Sequence, residues 1–232
     1  MKDLKHLIYF ESLLEDANNE LVRRAEAEGD LAIGYTCFHA PEVLLNLGNC
    51  FSVRLRAPHT NSMELATYYM ANNSCEFSRA LLERALEGNY SFLHAMAGVD
   101  VCEANNRAIE NMEIMHMQGE DKEKFFYCNL DIPYSDDEDC VEHVREQVSR
   151  KILKLLHENY GIDTSDDAIR AAVAQHNEVC RIISEIGELR KEENPVITGY
   201  EFHVIQLVSQ VCPHKLILPY LKETLEELKT RE

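Results

Sequence analysis

The sequence predicts an α/β protein: a four-stranded parallel sheet of Rossmann or flavodoxin type with flanking helices, followed by an all-helical subdomain. Three observations predict it. Four short apolar runs alternate with helical patterns in residues 1–133, and no strand-like run follows Pro133. The stretch from Ala32 to Pro58, AIGYTCFHAPEVLLNLGNCFSVRLRAP, reads as one complete βαβ unit. Such a unit places the loops that follow its strands at one edge of a parallel sheet, where ligands of open α/β sheets bind.

Each element has its own signal. Leu4, Leu7, Ile8, Leu14, Leu21 and Ala25 recur near helical spacing, so residues 2–28 read as one amphipathic helix. Ala32 to Tyr35 is a strand, and Thr36 to Ala40 a loop carrying Cys37 and His39. Pro41 and Glu42 suit a helix start, Gly48 a helix stop, and Cys50 to Leu55 resumes as a strand. Asn61 and Ser62 cap a short helix, Met63 to Asn72. Cys75 opens another, closed by Gly88. Ser91 to Gly98 is the third strand, a helix runs from Cys102 and Glu103 to about Met117, and Lys124 to Ile132 is the fourth strand. Beyond it, Val141, Val144, Val148, Ile152 and Leu155 form one helical face. Thr164 and Ser165 cap a long helix with Ile169, Ala172, Val173, Val179, Ile183 and Ile186 inward. Two last helices, Glu201 to Val211 and Lys215 to Lys229, are separated by Pro213. The organisation is therefore an α/β domain, 1–133, and a helical subdomain, 134–232.

Charge narrows the partners. The chain has 232 residues, with 41 Asp and Glu against 23 Lys and Arg, a net charge of −18. That opposes nucleic acid and anionic membrane surfaces, both of which require a basic face. No apolar run approaches a membrane span, and the N-terminal stretch does not read as a signal peptide. The eight cysteines, lacking a C-x-x-C pair, are expected to be reduced thiols in a cytoplasmic protein.

Common catalytic motifs are missing: there is no G-x-G-x-x-G, P-loop, G-x-S-x-G or H-E-x-x-H. Position is what remains. Cys37, Cys75 and Cys102 follow expected strands or open expected helices, where the helix dipole favours thiolate. Thiolates are the ligands of iron–sulfur clusters and of zinc, while free cysteine is also among the most buried residues. Each of the three is thus a ligand candidate or a small core residue. Cys50, Cys128, Cys180 and Cys212 lie within elements and read as core, and Cys140 as a half-exposed bystander. His39 is a candidate proton donor beside Cys37, or a solvated loop residue. Arg54 and Arg56 share a strand face and either reach a phosphate, are solvated or pair with acids. The run SDDED reads as a solvated helix start.

The string GYTCFHAPEVLLNLGNCFSVRL resembles the opening signature of the 2-hydroxyacyl-CoA dehydratase family, which includes benzoyl-CoA reductase subunits and double-cubane cluster proteins. The matching positions are Gly34, Cys37, Pro41, Glu42, Gly48 and Arg54. NNSCEFSRALLERALEGN is similar to a cysteine-to-arginine block with Cys75 and Arg79, and GVDVCEANNRAIE to a second ligand block with Cys102 and Arg107. FFYCNLDIPY and the helical region from Gly161 to Phe202 also resemble that family. The resemblance implies a four-iron four-sulfur cluster on Cys75 and Cys102, with Cys37 as a third ligand or pocket-lip residue. It implies cofactor contacts from Arg54 and Arg79, and a catalytic role for His39 is the reading added to it. It further implies an acyl-CoA substrate, a homologous second subunit, and electrons from an ATP-hydrolysing activator iron–sulfur protein. Two departures accompany it: the family's second α/β domain is absent from this sequence, and the first loop carries cysteine rather than serine. A non-catalytic assembly subunit with inert cysteines and a zinc or thiol-redox protein are the alternative readings.

Overall fold

Four strands lie side by side in the order β2–β1–β3–β4, all parallel. They are β1 (Leu31–Tyr35), β2 (Cys50–Arg54), β3 (Ala95–Asp100) and β4 (Phe126–Asp131). This is a computed structural model, and it describes residues 4–115 and 124–231. The expected parallel sheet is the one observed. In register, Gly34 of β1 faces Val53 on one side and Met96 on the other. A Cβ on Gly34 would stand 2.7 Å from Leu93 Cδ1, so only glycine lets that buried leucine approach the strand.

Side chains alternate between two covered faces, as a buried parallel sheet requires. Ala32, Phe51, Val53 and Met96 point to the face packed by α2 (Glu20–Ala27), α3 (Glu76–Leu86) and α4 (Glu103–Ile114). Ile33, Tyr35, Ala95, Ala97 and Val99 point to the other face. Ile152, Leu156 and Ala172 cover it, from the helices that follow β4. These are α5 (Glu138–Val148), α6 (Lys154–Tyr160) and α7 (Asp166–Glu188). A third apolar cluster joins α1 (Leu7–Leu13) to α7, α8 (Gly199–Val211) and α9 (His214–Thr230). The apolar clusters therefore cross position 133, and the N-terminal helix shares its core with the C-terminal ones.

Several elements depart from the sequence expectation, each for a local reason. The single helix expected over residues 2–28 is two, of which residues 1–3 lie outside the described ones. Asp16 Oδ1 accepts the Asn18 N–H at 3.0 Å, and Asn19 Oδ1 caps α2 through the N–H groups of Leu21 and Val22, both at 3.1 Å. These side chains compete with the helical ladder and restart it. The helix after Pro41 is a 3₁₀ segment, Glu42–Asn46, and Gly48 ends the turn at φ +59°. Met63 to Asn72 supplies only the 3₁₀ turn Ala66–Tyr68, at whose start the buried Glu83 carboxylate takes the N–H groups of Leu65 and Ala66 at 3.3 and 2.7 Å. The third strand begins at Ala95, since Ser91 to Leu93 are spent in a turn closed by Leu93 N–H on the Tyr90 carbonyl. The end of α4 expected near Met117 lies outside the described residues.

The apolar face expected from Val141 to Leu155 is also altered. A π-helical turn, Ser149–Leu153, interrupts it and shifts the phase of the helix. Ile152 is buried as expected, but Gln147 and Leu156 join it, Val144, Val148 and Leu155 are half-buried, and Val141 is exposed. On α7, Val173 is likewise exposed rather than inward.

Candidate functional site

The sheet order fixes where a ligand site belongs. From β1 the chain moves outward to β2, and from β3 it moves the other way to β4, so the connections diverge between β1 and β3. That divergence opens a crevice at the carboxyl edge. Cys37 follows β1 there, and Cys102 follows β3 as the N-cap residue of α4. Cys75 is the N-cap residue of α3, the crossover helix from β2 to β3, so it stands on the same edge. Asn105 Nδ2 donates to Thr36 Oγ1 at 2.9 Å, a buried bond tying the first turn of α4 to the β1 loop.

The thiols differ in character. Cys75 is exposed, and the Ser78 N–H of the first helical turn, directed at its sulfur, holds the thiol below its ordinary value. Cys102 is exposed and Cys37 half-buried. All three are thiolate candidates in chemistry, and each stands at the carboxyl edge. Among the described residues, however, no three His, Cys, Asp or Glu side chains gather into a group able to hold a metal ion. Cys50, Cys128 and Cys212 are buried as expected, and burial pushes their thiols up, to about 12 for Cys50 and Cys128. Cys140 is half-buried beside its Asp137 cap. Cys180 corrects the sequence reading: it is exposed on α7, not core.

The basic candidates have protein partners. Arg54 Nη1 donates to Gln210 Oε1 of α8 at 2.7 Å, and its guanidinium lies 4.1 Å over the Phe38 ring. It therefore fastens the β1 loop to the helical region rather than pairing with an acid. Arg56 Nη1 donates to the Leu14 carbonyl at 3.2 Å. Arg79 is buried and donates to the Asn72 carbonyl and Oδ1 at 3.0 and 3.2 Å, bracing the loop that leads to Cys75. Arg107 is exposed and paired with Glu110 at 3.0 Å. His39 is exposed in the loop after Cys37. The SDDED run opens α5 as a solvated cap, with Asp137 Oδ1 accepting the Cys140 N–H.

A second assembly went unseen in the sequence. Between the β1 loop and α7–α9 lies a cleft of about 540 Å³, whose lining includes Phe38, Glu42, Val43, His176, Cys180 and His214. His214 is 4% exposed, and its Nε2 stands 3.5 Å from Glu42 Oε1. Ser52 Oγ donates to that same oxygen at 3.2 Å, and Asn46 holds Ser52 through two further bonds of 2.9 and 3.0 Å. Burial pushes the Glu42 carboxyl up, but His214, His176 and Ser52 together outweigh it, and it lies below its ordinary value. On α7, His176 Nε2 meets Cys180 Sγ at 3.3 Å, one helical turn away. The i, i+4 spacing of His176 and Cys180 was the one signal in the sequence; their approach to Glu42 and His214 required the tertiary fold.

Over 223 residues the chain is 18% identical to the (R)-phenyllactyl-CoA dehydratase beta subunit of Clostridium sporogenes. That alignment covers 96% of this chain and 58% of the relative, so the chain spans little more than half of the relative's length. Residues 37–232 match the family model described as 2-hydroxyglutaryl-CoA dehydratase, D-component. The match begins at Cys37 and includes Cys75, Cys102 and the whole helical region, and the chain belongs to the 2-hydroxyglutaryl-CoA dehydratase D-component family.

Proposed function

We propose that the chain works as a dehydratase-type subunit, with Cys75 and Cys102 offering thiolates to a four-iron four-sulfur cluster at the carboxyl edge of the sheet. Family membership supports the class of enzyme. The observation that carries the site is the position of both cysteines as N-cap residues of helices on one edge. A cluster is anionic, and the positive ends of α3 and α4 would favour it there. Such a cluster supplies one-electron chemistry; this chain's residues supply ligands, the bracing of their loops by Arg79 and Asn105, and the walls of the crevice. Cys37 is the nearest further thiol on the β1 loop, and His39 beside it is a proton donor exposed to solvent. The substrate in this reading is a 2-hydroxyacyl thioester of coenzyme A that loses water, with electrons from an ATP-driven activator.

The same reading includes a second, homologous subunit. Leu65, Tyr68, Tyr69 and Phe77 are all exposed in the segment that precedes and follows Cys75, an apolar surface suited to a docked domain. The test is iron and acid-labile sulfide content after anaerobic reconstitution. Cys75→Ala and Cys102→Ala should each abolish most of the iron, while Cys212→Ala should leave it unchanged. Equal iron in all of these proteins refutes the ligand assignment, and zinc in place of iron favours a thiol–metal protein of another kind.

A further inference from the structure

Two asparagines lie buried in the first turn of α4, Asn105 at 6% exposure and Asn106 at 8%. Their side chains reach different strands. Asn105 Nδ2 donates to Thr36 Oγ1 at 2.9 Å, beside Cys37 at the end of β1. Asn106 Nδ2 donates to Oδ1 of Asp100, the last residue of β3 and two before Cys102. Thr36 is itself 4% exposed, so the first bond is shielded from water. The start of α4 is thereby tied both to the β1 loop and to the end of its own strand, the two lips of the crevice.

Packing alone gives no reason for two asparagines here. Asparagine is a weak helix former, and each of the two leaves its Oδ1 buried with no partner. A buried carbonyl without a partner destabilises the fold, a cost that an apolar side chain of the same shape avoids. Positions that break local rules without a packing gain are characteristic of functional sites. Cys102 is unusual in the same turn: it occupies the N-cap position, yet its side chain makes no bond to the helix, and its thiol is exposed. Asn105 lies about one helical turn beyond Cys102, and Thr36 immediately precedes Cys37. One buried hydrogen bond therefore joins the two thiol-bearing segments.

We propose that Asn105 and Asn106 are positioning residues that set the separation of the Cys37 and Cys102 thiols. Asn105 holds the β1 loop to the first turn of α4 through Thr36. Asn106 holds the turn 100–102, and with it the extended backbone of Cys102. Arg54 restrains the same β1 loop through Phe38, so losing the Thr36 bond shifts Cys37 without releasing the whole loop. This rests on the cluster reading above and deepens it: whether Cys37 stands beside Cys102 depends on one hydrogen bond, not on the conformation of the β1 loop by itself.

The experiment treats the full metal-free chain with a short-spacer bis-maleimide and reads the Cys37–Cys102 cross-linked peptide by mass spectrometry, relative to single adducts. The native protein should give this cross-link. The double variant Thr36→Val with Asn105→Leu removes both bonding partners and one orphaned carbonyl together, so its melting temperature should stay within about 4 °C of native. Its cross-link yield should nonetheless fall about fivefold, the population effect of losing one buried hydrogen bond. Thr36→Ser keeps the hydroxyl and should keep the native yield, whereas Thr36→Val keeps the shape and should not; a purely steric role predicts the reverse. Asn106→Leu should lower the yield as well. No cross-link in the native protein, a native yield in the double variant, or a native yield in Thr36→Val overturns the proposal. The cross-link is read without metal, so a native yield in the double variant, together with loss of iron in Cys75→Ala, removes this inference and leaves the cluster assignment standing.

Discussion

Arg79→Met separates a bracing arginine from a ligand-binding one. Two guanidinium bonds reach Asn72, at 3.0 and 3.2 Å, and the side chain is 8% exposed. A charged donor contributes about 1.5 kcal/mol per bond, which gives roughly 3 kcal/mol for the pair. Two effects reduce that figure. Asn72 is exposed, so water replaces the lost donors at little cost. Arg79 Nε is buried with no partner, and its removal relieves a desolvation penalty of about 1 kcal/mol. Methionine preserves the packing of the stem, so the net loss is about 2 kcal/mol. For a chain of this size that lowers the melting temperature by about 4–8 °C. The assay is urea unfolding followed by circular dichroism, with Arg79→Lys as the intermediate case that retains one bond. A loss under about 0.5 kcal/mol would refute the reasoning and return Arg79 to the role of a free cation. Because the braced loop leads into Cys75, the variant should also speed alkylation of that thiol.

Three further outcomes follow from the structure. Gly34→Ala places a Cβ 2.7 Å from the fully buried Leu93 and should destabilise by about 1–3 kcal/mol in the same unfolding assay; an unchanged midpoint would refute the close approach. Burial raises the Glu201 carboxyl, but the Thr198 N–H and hydroxyl and Arg231 Nη1, 2.9 Å away, outweigh it, so its folded pKa is depressed below 4.5. A depressed carboxylate contributes stability that is complete above its unfolded value and vanishes as pH falls through the folded one. Unfolding midpoints should therefore decline below about pH 4.5, and Glu201→Gln should flatten that decline. Finally, native protein treated with iodoacetamide near neutral pH should label Cys75 well before Cys50, Cys128 and Cys212, as peptide mass spectrometry would show, because Cys75 is exposed with its pKa lowered while the other three are buried with theirs raised.

Residues that act through near neighbours in the chain were legible. Four apolar runs with intervening helical patterns determined the parallel sheet, since strands buried on both faces and crossover helices are local signatures. Gly88 at φ +78° and Ser165, whose hydroxyl accepts the Ala168 N–H, end and begin their helices as the sequence indicated. The ordered set of cysteine-bearing blocks identified the family, and the loop and helix-start positions of Cys37, Cys75 and Cys102 put them on one edge. Elsewhere sequence periodicity misled: the Met63 helix is a single 3₁₀ turn with Glu83 at its start, and a π turn rotated the face that Val141 had promised.

Tertiary structure alone decided what each candidate touches. Arg54 read as reaching a phosphate, an acid or solvent, and Arg79 as a cofactor contact implied by resemblance; the fold bonds one to Gln210, beneath Phe38, and the other to Asn72. Glu42 read as a helix-start acid, and His214 carried no signal in the sequence. Separated by most of the chain, they meet because α7 packs on both the 3₁₀ turn and α9. Periodicity and capping are short-range physics and are written along the chain. A carboxylate and an imidazole brought together by the packing of two layers have no such signature, because their distance depends on every element that lies between them.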